Sequence, residues 1–330
     1  MPPVPKILVT GGAGYIGSHT VLALNEAGYD VVVYDNLSTG HARAVLPPAR
    51  LIPGDVGEAD KLDDLLARER FDAIIHFAAS IVVPESVSRP LHYYHNNTSK
   101  TAGLIQTALQ HQVRQFIFSS TAAVYGIPRH LPVAETAPVQ PINPYGRSKL
   151  MSEWVLQDVS RAFPDFRHVI LRYFNVAGAD PLGRIGQSTP EATHLIKVAC
   201  QTALGHRDQL KIFGTDYPTP DGTGIRDYIH VTDLARAHVL ALEYLSEGAD
   251  SDIFNCGYGH GYSVQEIVAA VQNISGRPLP RLTVPRRPGD PAELVAAPDK
   301  LRGSLNWHPQ YDDIEKIVES AYRWEQNRSY

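Results

Sequence analysis

Ile7-Leu8-Val9-Thr10-Gly11-Gly12-Ala13-Gly14-Tyr15-Ile16-Gly17-Ser18 joins an apolar run to a helical spacing through a cluster of glycines. It contains Gly12-x-Gly14-x-x-Gly17 and also Gly11-x-x-Gly14-x-x-Gly17. Glycines at these spacings permit a tight turn, close approach of backbone to a pyrophosphate, and close packing of helix on strand. The helix start that follows offers free N–H groups and the positive end of its dipole to phosphates. Such a pattern alone is weak. A strand before it and a helix after it make it a dinucleotide fingerprint. Gly11, Gly14 and Gly17 are therefore candidate cofactor-binding positions.

Outward from this stretch the chain alternates. Short β-rich runs occupy 7–10, 30–34, 73–77, 116–119 and 169–172. Helical spacing occupies 18–27, 59–68, 91–110 and 145–160. Strand, helix, strand in this rhythm predicts βαβ units, and hence an α/β fold with a doubly wound parallel sheet of the Rossmann type. The strands are nearly continuous apolar runs because a parallel sheet is covered on both faces.

Beyond about residue 175 loops rich in Gly, Pro and Asp dominate. Helical spacing returns at 194–203, 231–245, 263–271 and 313–325, and an apolar strand is expected at 253–256. The expected organisation is a nucleotide-binding domain over 1–175, with 227–257 returning to it. A smaller α/β ligand lobe is expected from 176–226 and 258–330.

The chain has 330 residues, 43% hydrophobic and 20% charged, with a formal charge of −5. That balance excludes a disordered or fibrous chain. The negative charge gives no reason to expect nucleic-acid or membrane-surface binding. Cys200 and Cys256 form no disulfide framework and fit a reducing compartment. No run is long and apolar enough to span a bilayer, and the N-terminus lacks the apolar region of a secretion signal. A cytoplasmic location is expected. Fourteen histidines form no HExxH and no tight Cys/His cluster, so no metal is expected.

The second strand ends at Tyr34-Asp35-Asn36, with Asp35 about 20 residues past the glycines. A carboxylate there accepts from adenosine ribose hydroxyls and repels a 2′-phosphate, favouring NAD over NADP. Gly54-Asp55-Val56 follows the third strand, where an Asp can reach the adenine amino group.

Asn143-Pro144-Tyr145-Gly146-Arg147-Ser148-Lys149 begins a helix with Tyr145 and Lys149 four apart, on one face. A lysine ammonium beside a phenol lowers the tyrosine pKa from about 10 toward neutrality. Such a Tyr can act as general base toward a sugar hydroxyl. Upstream, Phe118-Ser119-Ser120-Thr121-Ala122-Ala123-Val124-Tyr125-Gly126 lies at the C-terminal end of an expected strand. Open α/β sheets place ligands there, and the Thr121 hydroxyl can bond a reacting oxygen. Thr121, Tyr145 and Lys149 are the candidate catalytic residues.

These residues carry a resemblance. TGGAGYIGSH, HFAA, YYHNN, SSTAAVYG, PYGRSK and LRYFN resemble the extended short-chain dehydrogenase/reductase superfamily. Within it the chain is similar to the UDP-glucose 4-epimerase (UDP-galactose 4-epimerase) family, most specifically over Ile212 to Val231. The resemblance covers about Lys6 to Gln326. It implies a tightly held NAD, regenerated each turnover. It implies that Tyr145 takes the proton of the sugar 4-hydroxyl, and that a 4-keto sugar swings about its pyrophosphate tether between two hydride transfers.

Carried over position by position, the resemblance implies NAD contacts at Tyr15, Ile16, Asp35, Asn36, Asp55, Val56, Phe77, Ala78, Ala79, Asn97, Lys149 and Phe174. It implies that Asn175, Leu195, Lys211, Phe213, Arg226, Tyr228, Arg287 and Asp290 hold UDP and the sugar, with Thr121 and Tyr145. Two arginines can fork onto a diphosphate, Phe213 can pack on uracil, and Asp290 can accept from a ribose hydroxyl. It also implies a homodimer through helices 91–110 and 145–160.

The chain departs from the familiar pattern in places. Ile81 replaces a Lys often found after HFA(A/G), Thr121 replaces Ser, and His194 replaces an Asn. Leu294 stands where a bulky Tyr or small Cys is associated with excluding or admitting N-acetyl sugars. Other UDP-sugars (N-acetylhexosamine, pentose, glucuronate) therefore stay open as alternatives. The related 4,6-dehydratases need Asp-Glu after the Thr. Here Ala122-Ala123 cannot transfer protons. A non-catalytic dinucleotide sensor would have no use for Thr121, Tyr145 and Lys149 together.

Overall fold

The first strand, β1 (Lys6–Thr10), turns at the glycines into α1 (Tyr15–Glu26), and β2 (Asp30–Asp35) and β3 (Arg50–Pro53) follow. Then come α2 (Ala59–Arg68), β4 (Ala73–His76), the short helices α3 (Val83–Ser88) and α4 (Pro90–Tyr93), and α5 (Lys100–Gln110). The half ends with β5 (Gln115–Thr121), α6 (Pro144–Ala162) and β6 (Arg167–Tyr173). The computed structural model describes residues 4–189, 192–287, 289–328 and 330.

The rest of the chain supplies β7 (Asn175–Ala177), α7 (Leu195–Ala203), β8 (Leu210–Phe213), β9 (Ile225–Arg226), β10 (Tyr228–His230) and α8 (Val231–Ser246). It continues with β11 (Asp252–Cys256), β12 (Tyr262–Ser263), α9 (Val264–Ser275), β13 (Arg281–Val284), β14 (Glu293–Leu294), α10 (Asp299–Leu305) and α11 (Ile314–Asn327).

The central sheet has seven strands in the order β11-β6-β5-β4-β1-β2-β3, every pairing parallel. The order reverses beside β1, between the chain leaving β1 and the chain leaving β4. Ligands of open α/β sheets bind at such a reversal, outside the carboxyl ends of the strands. Alternate residues feed two cores. Ile7, Val9, Val31, Val33 and Ile75 pack with Val21 and Leu24 of α1 and Leu234 of α8. Leu8, Val32, Ile74 and Phe116 pack with Leu62 of α2 and Leu104 of α5 on the other face. Strand β11, from the segment 227–257, forms the sheet edge beside β6. Three small sheets, β10-β7, β12-β9-β14 and β13-β8, lie in the second half.

Three local features differ from the expected pattern. The first helix begins at Tyr15 rather than 18, because Gly14 already serves as its N-cap. The helix expected over 91–110 is broken into α4, a π-helical segment Tyr94–Ser99 and α5. Within the π segment the Asn97 carbonyl accepts from the Thr101 hydroxyl at 2.6 Å and from the Ser152 hydroxyl at 2.8 Å. Such π segments recur at functional sites. The short helices α3 and α10 carry too few turns for a periodic signal.

Burial also sets an acid limit. His19, His168 and His238 are pushed down to about 4, and His76 and His230 to about 3, chiefly by desolvation. All five are buried. In the unfolded chain each takes a proton near pH 6.5, while in the fold it stays neutral until its lowered pKa. Stability is therefore full above 6.5 and falls as pH drops toward 4, at up to about 1.4 kcal/mol per pH unit for each histidine. The urea midpoint is expected to fall steadily between pH 6.5 and 4.5. A flat midpoint would contradict this account.

Among the described residues, no helix is long and apolar enough to cross a membrane. No group of three His, Cys, Asp or Glu is placed to hold a metal ion among them.

Candidate active site

The glycine turn is built for close approach. Gly11 has φ +73°, and a Cβ there would lie 2.5 Å from the Ala78 nitrogen. A Cβ on Gly17 would lie 2.3 Å from the Gly11 carbonyl oxygen. Neither contact can be relieved, because the obstacle is backbone. Gly14 caps α1 with no side-chain bond, and the first turn has no acidic residue. The free N–H groups and dipole of a 12-residue helix thus face the crevice without a competing anion. The donor set fits a dinucleotide phosphate. Tyr15 sends its hydroxyl to the Gly178 carbonyl at 2.6 Å, and Ile16 packs against the core.

Asp35 is nearly buried at the end of β2. Its carboxylate accepts from the backbone of Ala13 at 2.9 Å and of Leu37 at 2.8 Å, which fixes its orientation. Asn36 donates to Asp55 at 2.8 Å. Asp55 also accepts from Lys100 and from the Gly57 backbone, each at 2.7 Å. Burial pulls the Asp55 pKa upward, but these donors overcome it and hold the carboxyl below its usual range. Val56 is buried beside it.

Across the crevice, the Phe77 and Ala78 nitrogens both donate to the Thr10 carbonyl, at 2.8 and 3.2 Å. Ala79 follows, and the Phe77 ring lies 4.9 Å from that of His238. Asn97 accepts from the Ser80 nitrogen at 2.8 Å and donates to the Ser80 carbonyl at 2.9 Å and the Ser148 hydroxyl at 3.0 Å. Both its amide hydrogens are used within the chain, so it ties the loop after β4 to α6. Phe174 is buried against Ala122, Val124 and Tyr125.

The catalytic candidates meet at the end of β5. Thr121 caps the turn Ala122–Tyr125 by accepting from the Ala123 nitrogen at 3.1 Å, and its hydroxyl is near enough to the Tyr145 phenol to lower its pKa. Lys149 is buried, donates to the Ser119 carbonyl at 2.8 Å, and lies 4.8 Å above the Phe118 ring. Burial pushes its ammonium down to about 7, against a raising contribution from Glu153. Tyr145 differs from the expectation. Burial raises its pKa, and the Thr121 hydroxyl only partly offsets this. The protein's own groups do not bring the phenol toward neutrality: burial outweighs the lowering by Thr121, and no lowering by Lys149 accompanies it. The Tyr93 ring meets Tyr145 edge-on at 6.5 Å.

The candidate substrate residues form two walls. Asn175, Leu195 and Tyr228 line one hollow of about 420 Å³ together with Gln187, His194 and Lys197. On the second wall Lys211 and Phe213 share the outward face of β8, while Leu210 and Ile212 are buried. Arg226 pairs with Asp290 and donates to the Pro291 carbonyl at 2.8 Å. The Arg287 guanidinium lies 3.8 Å over the Phe213 ring, the face expected to take a base. The walls adjoin, since Arg226 and Asp290 both act electrostatically on Tyr228.

The model of the NAD dependent epimerase/dehydratase family matches residues 7–257. The chain belongs to this family. It is 55% identical over 323 residues to a UDP-glucose 4-epimerase of Azospirillum brasilense, covering 98% of this chain and 92% of that one. The solved UDP-Glc/GlcNAc 4-epimerase of Campylobacter jejuni is 51% identical with a TM-score of 0.86, covering 98% of this chain and 99% of that one. A UDP-glucose 4-epimerase from Bifidobacterium longum, solved in complex with NAD+ and UDP, is 38% identical with a TM-score of 0.94, covering 98% of both chains.

In this member of the epimerase/dehydratase family several site residues escape sequence reasoning. Glu153, one turn beyond Lys149, is fully buried and pairs with Arg172 of β6 at 2.6 Å. Arg172 also donates to the Tyr125 hydroxyl at 2.9 Å, which donates to Asn255 of β11 at 2.7 Å. The i+4 spacing from Lys149 placed Glu153 on the site face, but no local signal identified its partner. His76 bridges Thr10 at 2.6 Å and Thr101 at 2.9 Å beneath the crevice. Lys100, the clamp on Asp55, sits at the start of α5 with no motif around it.

Proposed function

We propose that this chain interconverts UDP-glucose and UDP-galactose by inverting C4 of the sugar, with a bound NAD. The observation that carries the reading is the convergence of Thr121, Tyr145 and Lys149 at the carboxyl end of β5, in a chain 55% identical to a UDP-glucose 4-epimerase. Bound NAD+ supplies a hydride acceptor that later returns the hydride, together with a positive charge beside the phenol. Gly11, Gly14, Tyr15, Ile16 and Gly17 receive its pyrophosphate side. Asp35 and Asn36 receive the ribose, and Asp55 and Val56 the adenine. Phe77, Ala78, Ala79, Asn97, Lys149 and Phe174 border the nicotinamide half.

Tyr145 accepts the proton of the sugar 4-hydroxyl and gives it back to the epimer. Thr121, whose hydroxyl acts on that phenol, orients both oxygens. Lys149, held by Ser119 one helical turn from Tyr145, adds its charge to that of the cofactor when it is protonated. Arg226 and Arg287 take the diphosphate, which requires Arg287 to leave Phe213 for the base. The grip lies on UDP, so the 4-keto sugar can turn. Purified protein given UDP-galactose, with no NAD added, is expected to yield an equilibrium mixture with UDP-glucose by chromatography. Conversion only after NAD is added would keep the reaction and attribute a weaker cofactor grip to Ile81. No conversion under either condition would overturn the reading.

One observation favours a second, broader substrate range. Leu294 packs against the apolar cluster to which Ala122, Val124, Tyr125 and Phe174 belong, and pairs with Arg226 through β14 and β9. It thus borders the space between the catalytic turn and the UDP wall. A Leu there leaves more room than a Tyr. The same assay with UDP-N-acetylglucosamine tests it.

The division into an NAD-binding unit (1–175 with 227–257) and a UDP-sugar unit (176–226 with 258–330) is supported by β11 completing the main sheet. Two buried free cysteines support a cytoplasmic setting. The reading includes a homodimer. Val87, Leu91, Met151 and Trp154 expose apolar surface on α3, α4 and α6, Leu91 being 81% exposed. Sedimentation is expected to give twice the 36.3 kDa chain mass. Trp154→Glu is expected to shift this to monomer. A wild-type monomer at micromolar concentration would remove the dimer.

A further inference from the structure

A hollow of about 180 Å³ opens beside the N-terminus of α1, lined by Gly14, Tyr15, Thr39, His41 and Ser188 among others. Ser188 reaches it from far along the chain. Its hydroxyl is buried and has no hydrogen-bond partner among the described residues. Buried hydroxyls are normally paired, so the exception asks for a reason.

The surrounding backbone is pinned. The Gln187 carbonyl accepts from Lys197 at 2.5 Å and from the Trp324 indole at 3.3 Å. The Ser188 carbonyl accepts from His41 at 3.1 Å, tying this segment to the loop after β2. Gly186 lies flush on Trp324, where a Cβ would come within 2.4 Å of the ring. Two hydroxyls at the hollow are left without a partner among the described residues, those of Ser188 and Tyr330, and of the two residues Ser188 is the more deeply buried. A hydroxyl donor beside uncapped helical N–H groups is the donor set of a phosphate.

We propose that Ser188 donates to a phosphate of the bound NAD and, held in place by the pinned backbone of Gln187 and Ser188, slows the cofactor's escape. This rests on the cofactor reading above. Slow release suits a reaction that returns its hydride to the same sugar, because the cofactor need never exchange.

Ser188→Ala removes only an unpaired hydroxyl, so folding is not at issue. The purified proteins would be diluted and NAD release followed by its absorbance after filtration. UDP binding, which uses other walls, is the control. Release from Ser188→Ala is expected to be about tenfold faster or more, as loss of a charge-assisted bond implies. UDP binding should be unchanged. Equal release rates would overturn the proposal. Equal weakening toward NAD and UDP would make the hydroxyl a structural group and overturn it also. A wild-type protein that neither carries nor takes up NAD would remove the cofactor reading, and this proposal with it.

Discussion

Tyr145→Phe is expected to lower turnover about a thousandfold, the usual span of a lost general base being 10² to 10⁴. The substitution removes one oxygen and leaves the ring that packs edge-on against Tyr93. Folding and NAD content should therefore match the parent. The Thr121 hydroxyl keeps the Ala123 nitrogen. It cannot take over as base, because no charge or buried base lowers its pKa. KM for UDP-galactose is expected to change little, since the diphosphate wall of Arg226 and Arg287 is untouched. Loss in kcat with KM preserved is the mark of an interaction made in the transition state. Turnover within a few fold of the parent would remove Tyr145 from the mechanism. Loss of bound NAD would instead show that the phenol serves the cofactor.

Arg172→Met is expected to destabilise the protein by about 3–5 kcal/mol, the range for breaking a buried ion pair from one side. Glu153 is fully buried, and Arg172 is its only counter-charge within ion-pair distance among the described residues. Removing the guanidinium leaves a buried carboxylate without a counter-charge, with only the Ser120 hydroxyl still donating to it among the described side chains. It also strips the Tyr125 hydroxyl of a donor and loosens the link to Asn255. The damage should reach Lys149, whose ammonium feels Glu153. Urea unfolding checks the magnitude. Replacing both partners, Arg172→Met with Glu153→Leu, should recover much of the loss, since two matched apolar groups leave no orphan charge. A single variant as stable as the parent would show that water reaches Glu153. A double variant no better than the single would show that packing, not charge, holds this region.

The legible parts of the site share one property. Gly11, Gly14 and Gly17 lie within seven residues, and the Gly11 carbonyl that crowds Gly17 sits in the same turn. Tyr145 and Lys149 are one helical turn apart. Thr121 ends a strand whose apolar run is visible. The illegible parts are pairs across distance. Arg172 meets Glu153 from another element, Lys100 meets Asp55 across 45 residues, and Ser188 meets the α1 terminus from the irregular stretch that follows β7. Each partner is an ordinary residue in its own neighbourhood.

The sequence by itself determined the parallel α/β sheet, the nucleotide turn and the Tyr-Lys face, because strand and helix periods and glycine requirements act over a few residues. Only the tertiary structure decided the electrostatics. It showed that Tyr145 is raised rather than lowered, that Lys149 is held near neutrality, and that Arg287 covers Phe213. It also placed the π segment at Asn97 and set β11 at the sheet edge. Desolvation is summed over every element packed around a group, and those elements come from all parts of the chain. No local pattern can carry that sum.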